Sequence, residues 1–397
     1  MNESILLPQG FLFSACATGV KASGRPDLAL VLMPEGASAA ALFTQNQVVA
    51  APVTVGRSHL RASRGRVRAL IVNAGNANCA TGKIGLEAAK NICSALATEL
   101  RIEPNQVFPS STGIIGVPLP VEKITRSLSR LAVAAKSGPE AFDSFAHAIL
   151  TTDTRKKIAC DAIQRKKNTA VLAGVAKGAG MIHPQLATML VYLFTDISAS
   201  SVDLQRCLRG AVNESFNNIS IDGDTSTNDT VLLLASGHSG VALKNARKEF
   251  ERALRSVCQS LARQIVADGE GVTHLVRLKI EQARTEDEAR RVARSIANSV
   301  LVKTAWAGAD PNWGRILAAI GNSGVRINPA KINIYLGPHQ ICRDGTASPF
   351  DKEAAHQYMS LPSYEIRVLL GAGKAKLDFL SCDLTAEYVH INADYST

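Results

Sequence analysis

The run Met189-Leu-Val-Tyr-Leu-Phe194 is apolar and rich in strand-forming residues along its whole length, so it reads as a buried strand. What stands in front of it narrows the choices further. Gly174-Val-Ala-Lys-Gly-Ala-Gly180 is expected to be a glycine-rich loop carrying one lysine, and Leu186-Ala187-Thr188 then delivers a hydroxyl to the point where the strand begins. Glycines open backbone conformations that other residues avoid. A threonine before an apolar run is ordinarily just a strand residue. It can also be a nucleophile, because the small Ala187 leaves room for the hydroxyl to attack its own preceding carbonyl. That N-to-O acyl shift would break the chain and leave Thr188 with a free α-amine. The amine, with a pKa of about 8, could then act as base for the hydroxyl beside it.

Alternating and helical patterns are interspersed along all 397 residues, which points to a mixed α/β protein. Phe250, Leu254, Val257, Leu261 and Ile265 recur at steps of three and four and predict an amphipathic helix stopped by Gly269. Val276, Leu278 and Ile280 alternate with Arg277, Lys279 and Glu281 and predict a half-buried strand. Thr285 with Glu288 forms a capping box for a helix running through Val292, Ile296 and Val300. Ile332, Ile334 and Leu336 alternate, and strand-like runs follow at Tyr364 to Leu370 and Glu387 to Ile391.

Hydrophobic residues at 46% and charged residues at 20% supply ample core, and no apolar run is long enough to cross a bilayer. The first eight residues lack a basic region followed by an apolar core, so no secretory signal is expected. Eight cysteines are scattered without a Cys-x-x-Cys pair, which argues against a zinc site or disulfide scaffold and fits a reducing cytoplasm. The net charge of +10 concentrates in Arg57 to Arg68, Arg155-Lys156-Lys157 and Arg165-Lys166-Lys167. With aromatics at 5% and none interleaved, nucleic-acid binding is not expected, and these runs read as solvated loops and helix faces. A positive field would also favour small anionic substrates.

Several motifs fail on inspection. Lys177 precedes a glycine rather than Ser or Thr, so Gly174 to Gly180 is no P-loop. Asp222-Gly-Asp224-Thr-Ser226 starts like a calcium loop, but Thr227 and Leu233 replace the required glycine and glutamate. No metal is expected. Ser111-Thr112-Gly113 reads, on local pattern alone, as a turn before Ile114-Ile115-Gly116. The segments Asp222 to Asp229 and Asp310 to Arg315 read as polar scaffold loops.

Taken in order, a longer set of blocks resembles the ornithine acetyltransferase (glutamate N-acetyltransferase) family of arginine biosynthesis. They are Gly19-Val-Lys21, Gly24 to Leu30, Val72 to Asn78, Ser111 to Gly116, Thr151 to Thr154, the run through Ala187-Thr188, Asp222 to Asp229, Gly269-Glu270-Gly271, Asp310 to Arg315, and Asn392 to Thr397. The resemblance covers nearly the whole chain. It implies a layered mixed α/β fold of two interlocked halves, unlike the doubly wound nucleotide-binding fold. It implies self-cleavage between Ala187 and Thr188, giving an α chain of residues 1–187 and a β chain of residues 188–397 that assemble as an α2β2 heterotetramer in the cytoplasm.

The same resemblance implies transfer of the acetyl group of N2-acetylornithine to glutamate through an acetyl-threonine on Thr188, without cofactor. Thr112 and Gly113 would form the oxyanion hole, where each donor lowers the barrier by roughly 3 to 4 kcal/mol. Thr151, Lys177, Thr188, Glu270, Asn392 and Thr397 match the substrate-binding positions. Some members also take acetyl-CoA as donor, and the resemblance leaves that use open. A rival of related fold is a self-processing threonine amidohydrolase or aminopeptidase, in which water replaces glutamate. A basic binding protein with a structural Thr188 is a rival of another class. The chain departs from the family pattern at His274, where a lysine is usual, at Lys156-Lys157, where Pro-Lys is common, and at Phe108-Pro109-Ser110. None of these is a matched active-site position.

Overall fold

The computed structural model describes residues 5–165, 168–183 and 189–394. The apolar run forms a strand at Leu190–Thr195, and all six residues are buried. It lies inside an eight-stranded sheet. In chain order the strands are β1 (Leu12–Cys16), β2 (Leu28–Phe43), β3 (Arg66–Asn76), β4 (Val107–Ile114), β5 (Lys157–Arg165), β6 (Asn168–Lys177), β7 (Leu190–Thr195) and β8 (Thr230–Ala235). Their hydrogen-bonded order is β4-β3-β2-β8-β7-β6-β5, with β1 pairing on β2. The β7–β8 pair is parallel, and both flanking pairs, β6–β7 and β2–β8, are antiparallel. Strands from either side of residue 188 are therefore interleaved.

The lack of a polar face on β7 has a direct cause: both of its faces are covered. Val191 and Leu193 pack with Leu204 and Leu208 from the helix Ser201–Asn213 and with Phe250, Leu254 and Leu261 from the helix Arg247–Ala267. Tyr192 and Phe194 face the opposite layer, with Phe13 and with Phe142 and Phe145 of the helix Pro139–Ala148. Phe194 meets Phe11 and Phe13 edge-on, each at a ring separation of 5.3 Å. Each such side chain contributes roughly 1.5–3 kcal/mol by leaving water.

A second, six-stranded sheet follows. It contains β9 (Leu275–Ala283), β10 (Asn333–Leu336), β11 (His339–Arg343), β12 (Thr346–Ala347), β13 (Ser363–Leu369) and β14 (Ala375–Cys382), in the order β12-β11-β10-β13-β9-β14. Val276, Leu278 and Ile280 of β9 pack with Val292, Ile296, Ile316 and Ile320 from two of the helices beside it. The segment leading to β8 joins the second sheet where Ser220 N–H donates to the Leu380 carbonyl of β14 at 3.0 Å. The result is a layered mixed α/β fold with antiparallel pairs in both sheets, not a doubly wound one.

Four local expectations are corrected. The helix capped by Thr285 ends at Ala297, because Ser299 caps a separate helix at Val300–Ala307 by accepting the Val302 N–H. The segment Glu387 to Ile391 is helical, within Ala386–Asp394; none of its residues is buried, so its β-branched residues meet no strand partner. Gly174 to Lys177 belong to β6 rather than to a loop, since Gly174 must pass close beneath Leu193 and Leu261. Ser111-Thr112-Gly113 lies in β4 rather than in a turn.

Gly113 is required by that strand. Its φ is +128°, and a Cβ there would lie 2.3 Å from the Gly75 carbonyl carbon on β3. Because the clash is with backbone, no side-chain rotation relieves it. Gly113→Ala is expected to destabilise the protein by at least about 2 kcal/mol, measured by urea denaturation. A stability within error of wild type would show that β3 and β4 can separate freely at this point.

Candidate active site

Seven segments converge on one cleft, one of them giving Ala77 just after β3. Its lining includes Thr112 and Gly113 at the end of β4, Lys177 at the end of β6, and Gly180 and Met181 just beyond. Thr151 and Thr152 come from the segment before β5, and Asp222 to Asn228 from the loop before β8. Glu270 follows the helix Arg247–Ala267, and Tyr388 and Asn392 come from the last helix.

Lys177 is buried, and its Nζ lies 3.3 Å from Thr112 Oγ1. Among the described residues it has no ion pair. Burial pushes its pKa down, opposed chiefly by Asp153. An ammonium held out of water without an anion is a ready receptor for a carboxylate. Lys21, from the opening glycine-lysine block, sits close by, and its Nζ donates to the carbonyls of Pro26 and Ala148 at 2.9 and 3.1 Å. Burial brings Lys21 down to about 8.

The acidic side of the cleft is built differently. Glu270 N–H donates to the Ala179 carbonyl at 2.9 Å, which draws its carboxylate over Gly180. A Cβ at Gly180 would lie 2.5 Å from Glu270 Oε2, so a larger residue there would push the carboxylate out of this position. Asn392 Nδ2 donates to the same Oε2 at 2.9 Å and also to the Tyr388 carbonyl at 3.0 Å. Asp222 accepts the N–H groups of Met181 and Ile182, and Met181 has a φ of +58°. Burial pushes the Asp222 carboxyl up to about 6. The Tyr388 hydroxyl donates to it at 3.4 Å.

Two neighbouring residues brace the walls. Asn228 Nδ2 donates to the carbonyls of Ala77 and Ser111, at 2.7 and 2.9 Å, and so fixes the strand just before Thr112. Asp229 accepts the Met189 N–H at 2.8 Å, and burial holds its carboxyl well above the usual range. Met189 is bonded directly to residue 188.

Of the residues named from sequence, Thr112, Gly113, Thr151, Lys177, Glu270 and Asn392 share this cleft. Ala187, Thr188 and Thr397 lie outside the described residues. His274 is directed to Asp383, 3.0 Å away, and does not line the cleft; Phe108, Pro109 and Ser110 are buried in β4. The Asp222 to Asn228 block, expected as scaffold, is cleft wall, and Tyr388 is an addition. The aspartate-rich composition of that block was the available signal. Lys157, expected on a solvated face, has a fully buried side chain paired with Asp153 and Asp268; the i, i+4 spacing from Asp153 was the clue. No cluster among the described residues has the makings of a metal site, and no described helix is long and apolar enough to cross a membrane. The cleft thus offers a cation beside Thr112 and Gly113, and carboxylates opposite, to one small ligand.

Comparison with known proteins agrees along the whole length. The ArgJ family pattern matches residues 12–397. The arginine biosynthesis bifunctional protein ArgJ of Thermus thermophilus is 45% identical over 394 residues, covering 99% of this chain and 100% of that protein. Its namesake in Methylococcus capsulatus is 44% identical, covering 98% of this chain and 95% of that protein. The crystal structure of arginine biosynthesis bifunctional protein ArgJ from Bacillus halodurans is 41% identical with a TM-score of 0.50, and the match spans 51% of this chain and 98% of the crystallised one.

The raised carboxyl of Asp222 gives a pH signature. A folded pKa of about 6 against an unfolded value of about 3.9 means that its contribution is fully present below about pH 4 and is lost as pH rises through 6. The stability of wild type relative to Asp222→Asn is therefore expected to fall between pH 4 and 6 and to be level above, in denaturant titrations. A difference independent of pH would show that Asp222 ionises as freely in the cleft as in water.

Proposed function

This chain belongs to the ArgJ family of arginine-biosynthesis enzymes, and from that membership and its cleft we propose that it moves the acetyl group of N2-acetylornithine to glutamate after cutting itself between Ala187 and Thr188. The observation that carries the reading is the convergence of Thr112, Gly113, Lys177, Thr151, Glu270 and Asn392 on one cleft, with Met189 fixed at the start of β7. The solved relative from Bacillus halodurans supports the cut. Half of this chain accounts for nearly all of the crystallised chain, the length expected of a fragment divided near the middle.

In this mechanism the Thr188 hydroxyl attacks the acetyl carbonyl, and the freed α-amine of Thr188 takes the hydroxyl proton. Thr112 and the Gly113 N–H hold the developing oxyanion. The C–N bond breaks, the amine proton passes to the leaving nitrogen, and ornithine departs. The glutamate amine then attacks the acetyl-threonine, restores the Thr188 hydroxyl and leaves as N-acetylglutamate. Donor and acceptor share an α-carboxylate, which Lys177 receives in both halves of the cycle. Glu270, held by Asn392, faces the cationic side chain of ornithine, and Thr151 and Thr397 complete the binding set. Acetyl-CoA could load the same threonine, in keeping with the name "bifunctional" of the relatives. The two fragments stay together after the cut because β7 and β8 are hydrogen-bonded between β2 and β6.

Purified protein is expected to run on a denaturing gel as two fragments, with an N-terminal sequence starting at Thr188 in one of them. Thr188→Ala should run as a single band. Cleavage at the same bond in the alanine variant would remove Thr188 as the nucleophile, and an uncut wild type that still transfers acetyl groups would remove the need for a free α-amine.

A further inference from the structure

Lys157 is buried between two carboxylates, with its Nζ 2.6 Å from Asp153 Oδ1 and 2.5 Å from Asp268 Oδ2. The side chains of all three are at most 1% exposed, and none of them lines the cleft. Asp153 accepts from three donors. Beyond Lys157 it accepts the Gly178 N–H at 2.6 Å and the Thr151 N–H at 3.0 Å. Gly178 follows Lys177 directly, so the carboxylate grips the backbone at Lys177 without forming an ion pair with its ammonium.

That geometry solves a physical problem. A buried lysine with no anion nearby surrenders its proton, because desolvation penalises the charged form. A lysine in direct contact with a carboxylate keeps its proton but has its head occupied. Asp153 acts between these extremes: bonded to Gly178, the next residue along, it favours the cation without pairing with it, while Lys157 occupies its Oδ1. The other charged or titratable groups around Lys177 are Glu270, Asp229, Lys157 and Lys21. Glu270 is bonded to Asn392 on the far wall, the Asp229 carboxyl is pushed toward its neutral form by burial, and both lysines oppose the cation.

We propose that Asp153 is a positioning residue that keeps Lys177 a cation with its head open, and so sets the pH range over which the cleft accepts the carboxylate of its substrate. This rests on the reading of Lys177 as the carboxylate receptor. Asp268 extends the device. It takes the Thr154 N–H and hydroxyl and the Arg155 Nε, and it stands two residues before Glu270. The same ammonium therefore ties the cationic and acidic sides of the cleft to one point.

The test is the pH dependence of KM for glutamate and for N2-acetylornithine, from pH 6 to 9, in wild type, Lys177→Met and Asp153→Asn. Removing the Asp153 charge lowers the pKa of Lys177, so the ammonium is lost at lower pH. KM in Asp153→Asn should rise at least tenfold at pH 8, recover as pH falls toward 6, and leave kcat within about threefold. Should Asp153→Asn fail to fold, the double variant Asp153→Asn/Lys157→Met buries no charge between those two positions. It should shift KM the same way by less, because the effect of Asp153 on Lys177 exceeds that of Lys157. A wild-type pH profile in either folded variant overturns the proposal, as does a loss of kcat at unchanged KM. An unchanged KM in Lys177→Met overturns instead the underlying reading of Lys177.

Discussion

The cleft depends on one buried ammonium. The fully buried Lys157 side chain has two carboxylate partners, and removing one partner from such a set typically costs about 3–5 kcal/mol, because the remaining charge is left buried and unpaired. That cost favours arrangements that bring residues 151–157, 177–178 and 268–270 to the same point. Those segments carry Thr151, Lys177 and Glu270. Cleft-lining positions far apart in sequence are fixed relative to one another by an ion-pair set that lies outside the cleft.

The sheet supplies the second constraint. Because β7 is covered on both faces, its register is set by packing, and its first residue is delivered at a defined depth between β6 and β8. Asp229 fixes Met189 and Asn228 fixes Ser111, so two successive residues join the start of β7 to the end of β4. Breaking the chain before Met189 would leave every described strand of the sheet in place. The proposed self-cleavage and the proposed transfer can thus share one scaffold.

Much of this was legible in the sequence where the signal is local. The helix through Phe250 and Ile265, the strand at Val276 to Ile280 and the cap at Thr285 all follow from periodicity and capping chemistry. The layered fold and most of the cleft residues were reached through ordered motif blocks rather than through physics. What local reasoning misread were cases in which distant packing decides. Lys157 looked solvated because its partner Asp268 is 111 residues away. Gly113 looked like a turn residue because the strand beside it, which needs a glycine, ends 37 residues earlier at Asn76. The last helix looked strand-like because Val389 and Ile391 favour strands, while Tyr388 and Asn392, four apart on one face, are turned to the cleft.

A single hydroxyl is proposed to serve both halves of the acetyl transfer. Mass spectrometry of the cleaved protein, incubated with N2-acetylornithine and no glutamate, tests it most directly. A gain of about 42 Da is expected on the fragment beginning at Thr188, discharged as N-acetylglutamate when glutamate is added. A fragment that never gains mass while N-acetylglutamate still forms would contradict it, and so would an adduct lost to water with continuous release of ornithine in the absence of glutamate.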